Sequence, residues 1–197
     1  DRLGVSVEST APELCLSEGE RKQGREYLRS LNIDYKKPLV GIHPGATWEN
    51  KHWPLEAFAQ LIRSLRRRGL QIYISTGPGE ESLARELLNQ TDTGIVGGTV
   101  LPLRELAAVQ GACDVFVSND CGIMHLAPAV GTPTIGIFGP GEPEIWFPYS
   151  RDKGHRAFWS DLDCRPCHQN ECPLGTLACM HQTVPEQIQE HIVTLIG

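Results

Sequence analysis

The chain has 197 residues, of which 40% are hydrophobic and 21% are charged, a composition that excludes an intrinsically disordered protein. Asp and Glu number 24 against 18 Lys and Arg, so a broad basic surface for nucleic-acid binding is excluded as well. No apolar run approaches the roughly 18 residues of a membrane span, and no signal-peptide pattern opens the chain. We therefore expect a cytoplasmic protein with no nucleic-acid partner and no membrane span.

Short apolar segments alternate with amphipathic ones, which predicts alternating strands and helices. Strands are predicted over 38–43, 70–75, 94–96, 114–118 and 134–138. Helices are predicted from Ser17, where Glu20 completes a capping box, and over 54–68, 81–89, 102–110, 122–130 and 185–196. After residue 140 the alternation ends. Near-continuous apolar strands joined by helices indicate an α/β fold: a doubly wound, mostly parallel sheet with Rossmann-like topology.

Three familiar sequence motifs are absent. No Gly-x-Gly-x-x-Gly follows the first strand, and the glycines at 77 and 79 lack the Lys-Ser/Thr pair of a Walker sequence. No Gly-x-Ser-x-Gly elbow occurs either. These absences argue against hydride transfer, ATP hydrolysis and serine hydrolysis.

Polar residues follow the first two predicted strands, at the edge where open parallel sheets bind ligands. Thr47 and Lys51 precede a helix, where a lysine beside free backbone N–H groups suits a phosphate. Glu80 follows a glycine-rich turn, where a carboxylate can accept hydrogen bonds from ribose hydroxyls. For each loop alone, a solvated lysine or ordinary turn chemistry is the simpler interpretation.

The segment after the fourth strand carries the most specific signal. Asp120 is predicted to be a helix N-cap, which places Gly122 in the first turn with its backbone N–H groups open to an anion. His125 lies three residues later on the same helix face, although a hydrogen-bonded core histidine is the alternative. Together with the first two loops, this segment predicts a site for a nucleotide diphosphate derivative.

These motifs occur in an order and spacing that resemble the nucleotide-sugar-binding half of glycosyltransferase family 9, the ADP-heptose:lipopolysaccharide heptosyltransferases and their relatives. The resemblance covers roughly residues 38–195. It rests on Gly45-Ala46-Thr47-x-x-x-Lys51-x-Trp53-Pro54, Gly77-Pro78-Gly79-Glu80, Ser118-Asn119-Asp120-x-Gly122-x-x-His125-Leu126-Ala127, Gly131-Thr132-Pro133 and Phe138-Gly139-Pro140. It implies the C-terminal half of a GT-B fold that binds a nucleotide sugar, typically ADP-heptose. Transfer would invert the sugar without a metal or other cofactor.

The resemblance also implies a role for each matching residue. Thr47 and Lys51 match the phosphate-contacting positions, and Lys51 is assigned to stabilise the leaving group. Glu80 matches the acid that holds the ribose, with the adjacent Glu81 as a substitute. The remaining matches, around the pyrophosphate, are Asp120, Cys121, Gly122 and His125. Cys121 departs from the family's Ser or Thr, so a contact there would rest on the backbone.

The family's first Rossmann domain, which binds the growing lipopolysaccharide core and carries the aspartate general base, has no counterpart in this sequence. Residues 1–37 are interpreted as a linker or remnant of that acceptor domain plus a helix. Residues 38–150 form the nucleotide-sugar-binding core, and 151–197 add a Cys-rich segment and a C-terminal helix to the same domain. We expect this chain alone to bind the donor without turnover, and the whole enzyme to be peripheral to the inner membrane through its acceptor.

Four cysteines cluster near the C-terminus as Cys164-x-x-Cys167-x4-Cys172-x6-Cys179. Four thiolates can form a closed structural zinc site, but this spacing matches no standard zinc finger. Bound zinc and metal-free cysteines therefore both remain open.

Two other functions compete with the donor-domain hypothesis. One is another GT-B-like nucleotide-sugar enzyme, such as a 2-epimerase, which predicts a preference for UDP-sugars. The other is a non-catalytic metal or redox module built on the cysteine cluster, which predicts loss of function on chelation. The ordered set of motifs favours the donor domain.

Overall fold

A computed structural model describes residues 12–91, 96–97 and 99–197. The strands, numbered in chain order, are β1 Leu39–His43, β2 Gln71–Ile74, β3 Val96–Gly97, β4 Val115–Asn119, β5 Thr134–Phe138 and β6 Arg156–Trp159. They form one sheet in the order β3-β2-β1-β4-β5-β6, and every neighbouring pair is parallel. The predicted α/β class and parallel sheet are confirmed.

Helices cover both faces of this sheet. They are α1 Glu18–Ser30, α2 Leu55–Arg67, α3 Glu81–Thr91, α4 Leu103–Gln110, α5 Leu126–Ala129, α6 Pro143–Trp146, α7 Ala178–His181 and α8 Pro185–Ile196. Short 3-10 turns occupy Glu49–Lys51, Gly122–His125 and Arg151–Lys153. No helix in the described part of the chain is both long and apolar enough to cross a membrane.

Alternate residues of β1 point into two different cores. Val40 and Ile42 belong to the main cluster, which packs the sheet against α2, α3 and α8. Leu39 belongs to a second cluster on the opposite face, with Leu28 of α1 and Val109 of α4. All five β1 residues are buried, and complete burial of a large apolar side chain contributes about 1.5–3 kcal/mol. Because β1 is packed on both faces, the centre of the sheet forms a rigid base for the loops that follow its strands.

The first helix packs closely against α4. It begins with the predicted capping box, in which the Ser17 side chain accepts from the backbone N–H of Glu20. A Cβ at Gly24 would lie 2.5 Å from the carbonyl oxygen of Ala108, so only glycine permits this close approach of the two backbones. The glycine that lowers the intrinsic helix propensity of α1 is thus required by its packing.

The structure corrects two predictions about regular structure. A sixth strand, Arg156–Trp159, extends the sheet beyond the last predicted strand by pairing with β5. Its apolar stretch, Ala157–Trp159, is only three residues long and lies between Arg156 and Ser160, and only Phe158 is buried. The predicted helix over 122–130 is instead a 3-10 turn followed by the four-residue α5. Within the predicted strand at 94–96, residues 94 and 95 lie outside the described residues.

Candidate functional site

The candidate site lies at the carboxyl ends of β1 and β4, which are neighbours in the sheet. The chain passes from β1 to β2 on one side of this pair and from β4 to β5 on the other. Because the loops after the two strands diverge, they leave a crevice between them, and open α/β sheets bind ligands at this point of reversal.

A lysine and an aspartate join these two diverging loops. Lys51 lies in the 3-10 turn after β1, and its Nζ is 2.6 Å from Oδ2 of Asp120, which directly follows β4. The Lys51 side chain is 20% exposed and that of Asp120 only 6%. Nζ also lies 4.9 Å from the ring centroid of Trp48, in a cation–π contact. An ammonium has three N–H donors, so the ion pair leaves two of them for a ligand.

Asp120 is not a helix N-cap, which corrects the sequence prediction. The cap position belongs to Cys121, and no side chain among the described residues caps that turn. The Asp120 carboxylate turns instead toward Lys51. The loop after β5 passes close beside it, since a Cβ on Gly141 would lie 2.6 Å from Oδ2 of Asp120. The Asp120 carboxylate thus forms an ion pair across the crevice and does not cap the turn that follows it.

The two residues after Asp120 face in different directions. Gly122 is exposed, and a Cβ built on it would have no atom within 4 Å, so its backbone borders open space. The Cys121 side chain packs against the buried cluster of Met124, Phe138 and Phe147. Burial raises the pKa of the Cys121 thiol, despite nearby hydrogen-bond donors of which the Ser118 hydroxyl is the strongest. The cysteine at this position therefore presents no thiolate to the crevice.

His125 contacts a tyrosine that was not among the predicted site residues. Its Nδ1 lies 2.6 Å from the Tyr149 hydroxyl. Burial lowers the pKa of His125, an effect that the charge of Asp120 opposes and that of Lys51 reinforces. The imidazole is thus neutral and close to the ion pair. Tyr149 lies in the irregular segment after β5, where no motif or spacing singled it out.

Glu80 joins the loops after β1 and β2. Its Oε2 accepts a hydrogen bond of 2.7 Å from the backbone N–H of Gly77 and lies 3.5 Å from Nε2 of His43. A Cβ on Gly45 would lie 2.2 Å from the Glu80 carboxylate, so the glycine makes room for it. Burial lowers the pKa of His43, although the charge of Glu80 opposes this shift. Thr47 is exposed on the first loop, and its side chain makes no hydrogen bond to the described residues.

The Cys-rich segment holds the loop that borders Asp120. The Arg165 guanidinium donates to the carbonyl oxygens of Gly139, Gly141 and Ser160. Gln169 accepts a hydrogen bond of 2.5 Å from the Asn50 side chain, in the loop that carries Lys51. The segment therefore acts as a strap across two loops of the crevice, a role that cysteine spacing alone did not predict.

The four clustered cysteines line a single small cavity of about 20 Å³ together with Arg165. All four are free thiols. Backbone N–H groups, foremost that of Leu177, lower the pKa of Cys172, whereas burial raises that of Cys179. Within the described residues, no group of three or more His, Cys, Asp or Glu side chains is arranged to hold a metal ion. The thiols are gathered but do not form a coordination site in this conformation.

Comparisons with known proteins place the chain in one family. The model of glycosyltransferase family 9 (heptosyltransferase) matches residues 1–178. Lipopolysaccharide heptosyltransferase 1 of Pseudomonas aeruginosa is 34% identical over 137 residues, which are 68% of this chain and 37% of that protein. Lipooligosaccharide heptosyltransferase 2 of Campylobacter jejuni is 28% identical over 177 residues, which are 86% of this chain and 55% of that protein.

Solved structures give the same fold. The family 9 glycosyltransferase of Veillonella parvula matches with a TM-score of 0.84 at 24% identity, over 99% of this chain and 56% of that one. The Escherichia coli ADP-heptose lipopolysaccharide heptosyltransferase II matches with a TM-score of 0.75 at 23% identity, over 94% and 53%. The chain thus spans roughly half, or less, of the length of these relatives. It belongs to glycosyltransferase family 9, the heptosyltransferase family.

Proposed function

We propose that this chain binds the nucleotide-sugar donor of an inverting heptosyltransferase that acts in lipopolysaccharide core assembly. The observation that carries the proposal is the 2.6 Å contact between Lys51 and Asp120 across the β1–β4 crevice. An ammonium held at the point where the sheet reverses direction is suited to a diphosphate. Family membership supports the same conclusion.

The donor diphosphate lies between the first and third loops in this proposal. Lys51 offers two free N–H donors, while Asp120 fixes the position of its side chain. The exposed backbone at Gly122 allows phosphate oxygens to approach without a side-chain clash. The ammonium must lie between the phosphate and Asp120, because direct contact of the two anions would be repulsive. Asp120 is therefore a positioning residue for Lys51.

Glu80 binds the ribose in this arrangement. One carboxylate oxygen, Oε2, is occupied by the Gly77 N–H. The other is left to accept a hydrogen bond from a ribose hydroxyl. Thr47, which is exposed on the first loop, contacts the phosphates in this proposal.

The transfer step uses charge stabilisation by Lys51. The acceptor hydroxyl attacks the anomeric carbon from the face opposite the diphosphate, and the general base takes its proton. The bond from the anomeric carbon to the phosphate oxygen breaks, and its electron pair stays on that oxygen. Lys51 stabilises this developing charge, and one such preorganised donor is often worth about 10²–10³ in rate.

In our proposal the general base and the binding site for the lipopolysaccharide-core acceptor belong to an N-terminal domain outside these 197 residues. This accords with the partial coverage of the full-length relatives. Residues 12–37 then lead into the donor-binding core, and 151–197 complete the same domain. The whole enzyme acts in the cytoplasm and reaches the inner membrane through its acceptor.

The cysteine cluster has a structural role in this proposal, either as a zinc site or as free thiols. The gathering of four thiols around one cavity supports the first alternative, and the lack of a formed coordination group within the described residues supports the second. Elemental analysis of the purified chain distinguishes them, because a structural site would hold one metal ion per chain.

Thermal unfolding in the presence of ADP, UDP or GDP tests the proposed function. The nucleotide that matches the donor raises the stability of the folded chain by about 2.7 kcal/mol at 100 times its dissociation constant. ADP is the expected ligand, since one solved relative is named for ADP-heptose. A preference for UDP would favour a different donor. Failure of all three nucleotides, checked by calorimetry, would overturn donor binding by this chain.

A further inference from the structure

The contact between His125 and Tyr149 joins the candidate diphosphate site to an aromatic cluster. The Nδ1–Oη distance of 2.6 Å is short for a hydrogen bond between a hydroxyl and an imidazole. The Tyr149 ring packs edge-on against Phe147, with centroids 5.0 Å apart, and lies 5.5 Å from the His155 ring. The hydroxyl therefore stays at a fixed position relative to His125.

The protonation states of the two groups restrict the direction of this bond. Burial raises the pKa of Tyr149, so its hydroxyl keeps its proton. Burial lowers the pKa of His125, so the imidazole is neutral and carries one proton. Among the described residues, the Tyr149 hydroxyl has no hydrogen-bond partner other than Nδ1. If Nδ1 carried the proton, the hydroxyl proton of Tyr149 would have solvent as its only acceptor.

We propose that Tyr149 is a positioning residue that holds His125 as the Nε2–H tautomer, so that Nε2 donates a hydrogen bond to a phosphate oxygen of the donor. Tyr149 donates to Nδ1, which fixes both the tautomer and the plane of the imidazole ring. The assignment of a phosphate as the acceptor rests on the proposed function. The assignment of the tautomer does not.

A neutral donor fits the electrostatics of this crevice. Lys51 already supplies a full positive charge, and Asp120 already neutralises part of it. A positively charged imidazole would be repelled by Lys51, whose charge lowers the pKa of His125. A neutral Nε2–H can bind a phosphate oxygen and leave the ion pair intact.

The tautomer can be read without any ligand by ¹⁵N NMR of the imidazole nitrogens. In the wild-type chain we expect the signal of a bare, hydrogen-bonded nitrogen at Nδ1 and that of an N–H nitrogen at Nε2. In Tyr149→Phe, which keeps the ring packing, we expect a mixture of both tautomers. Tyr35→Phe is the matched control, because it removes one tyrosine hydrogen bond, to the Arg25 carbonyl, far along the chain from this site. An Nδ1–H tautomer in the wild type would overturn the proposal.

Calorimetry with ADP then tests whether the Nε2–H tautomer of His125 donates a hydrogen bond to a phosphate oxygen. Tyr149→Phe should weaken ADP binding about two- to tenfold, because only a fraction of the free chain then holds the Nε2–H tautomer, and Tyr35→Phe should not. In a His125→Gln background, Tyr149→Phe should have no further effect, because Tyr149 acts through His125. An equal loss in both backgrounds would contradict this role. A wild-type chain that fails to bind ADP overturns the proposed function and the phosphate contact with it, whereas the NMR result still decides the tautomer.

Discussion

The Nζ of Lys51 lies 2.6 Å from Oδ2 of Asp120, although the two residues are 69 positions apart in the chain. They meet because β1 and β4 are adjacent in the sheet, Asp120 directly follows β4, and Lys51 lies in the loop after β1. The Asp120 side chain is almost completely buried. Loss of the lysine would leave that carboxylate without its counter-charge, which is more costly than loss of both charges together.

Replacing Lys51 separates its role in binding from its role in stability. We expect Lys51→Ala to weaken ADP binding by at least tenfold, since a charged hydrogen bond contributes about 1.5–3 kcal/mol. We also expect a lower free energy of unfolding, because Asp120 loses its partner. The double variant Lys51→Met/Asp120→Asn should recover that stability but not the binding. Calorimetry and urea unfolding measure the two effects.

Lys22→Ala is the matched control, because Lys22 is an exposed lysine that pairs with Glu26 within α1. It should change neither ADP binding nor, by more than about 0.5 kcal/mol, the stability. If Lys51→Ala reduced ADP binding only as much as Lys22→Ala, the assignment of Lys51 to the phosphates would be wrong.

A methyl group at Gly122 should block the ligand without disturbing the fold. A Cβ there meets no protein atom within 4 Å, so Gly122→Ala should unfold at nearly the wild-type temperature. Because that open space is where phosphate oxygens approach in our proposal, we expect ADP affinity to fall by about tenfold. Gly19→Ala, at an exposed position in α1, is the control and should not affect binding. Unchanged affinity in Gly122→Ala would show that the ligand does not approach this backbone.

A methyl group at Gly45 should act on the nucleoside end of the ligand. It would lie 2.2 Å from the Glu80 carboxylate, the mobile end of a side chain, so Glu80 must move while the fold remains. We expect Gly45→Ala to weaken ADP binding about tenfold, since a charged hydrogen bond to the ribose is lost. Binding of inorganic pyrophosphate, which has no ribose, should be unchanged. A parallel loss for both ligands would rule out Glu80 as the ribose-binding group.

The stability of the fold should decrease as the pH falls below about 6.5, the unfolded-state pKa of histidine. Burial lowers the pKa of His155, whose Nδ1 accepts a hydrogen bond from the Thr134 backbone N–H, so the unfolded chain binds a proton more readily than the folded one. Stability is therefore fully present above that pKa and is lost as the pH falls toward the folded-state value. The slope is at most about 1.4 kcal/mol per pH unit for each such group.

Urea unfolding at several pH values between 7 and 5 measures this slope. His43, His125 and His191 shift in the same direction because of burial, so their effects add. His155→Asn keeps an acceptor for Thr134 but removes the titrating group, and it should reduce the slope. A stability that rises toward acid pH would contradict this account.

Arg165 should stabilise the strap across the crevice. Its guanidinium donates to three backbone carbonyl oxygens, two of which belong to the loop beside Asp120. Arg165→Lys keeps the charge but cannot make all three contacts, so we expect a loss of about 1–3 kcal/mol in unfolding free energy. Arg63→Lys, at an exposed arginine with one contact to the Gln90 carbonyl, is the control. Amide hydrogen exchange at Gly139 and Gly141 should increase only in Arg165→Lys.

Hydrophobic patterning was a reliable guide where elements are buried and weaker where they are exposed. The strand at 134–138 has its predicted bounds, because all its residues are buried and apolar enough to stand out. The strand Arg156–Trp159 was not predicted, because its apolar stretch is only three residues long and only Phe158 is buried. Tertiary pairing with β5, rather than local propensity, makes this segment a strand.

Local sequence patterns likewise predicted only part of the candidate site, and long-range contacts determine the rest. The sequence by itself determined which loops carry polar groups, since the order of strands, helices and glycines is written in local patterns. Only the tertiary structure decided that Asp120 pairs with Lys51 instead of capping a helix, and that Tyr149 reaches His125. These contacts join residues far apart in the chain, so they depend on strand order and on the path of the loops, which local propensities do not encode.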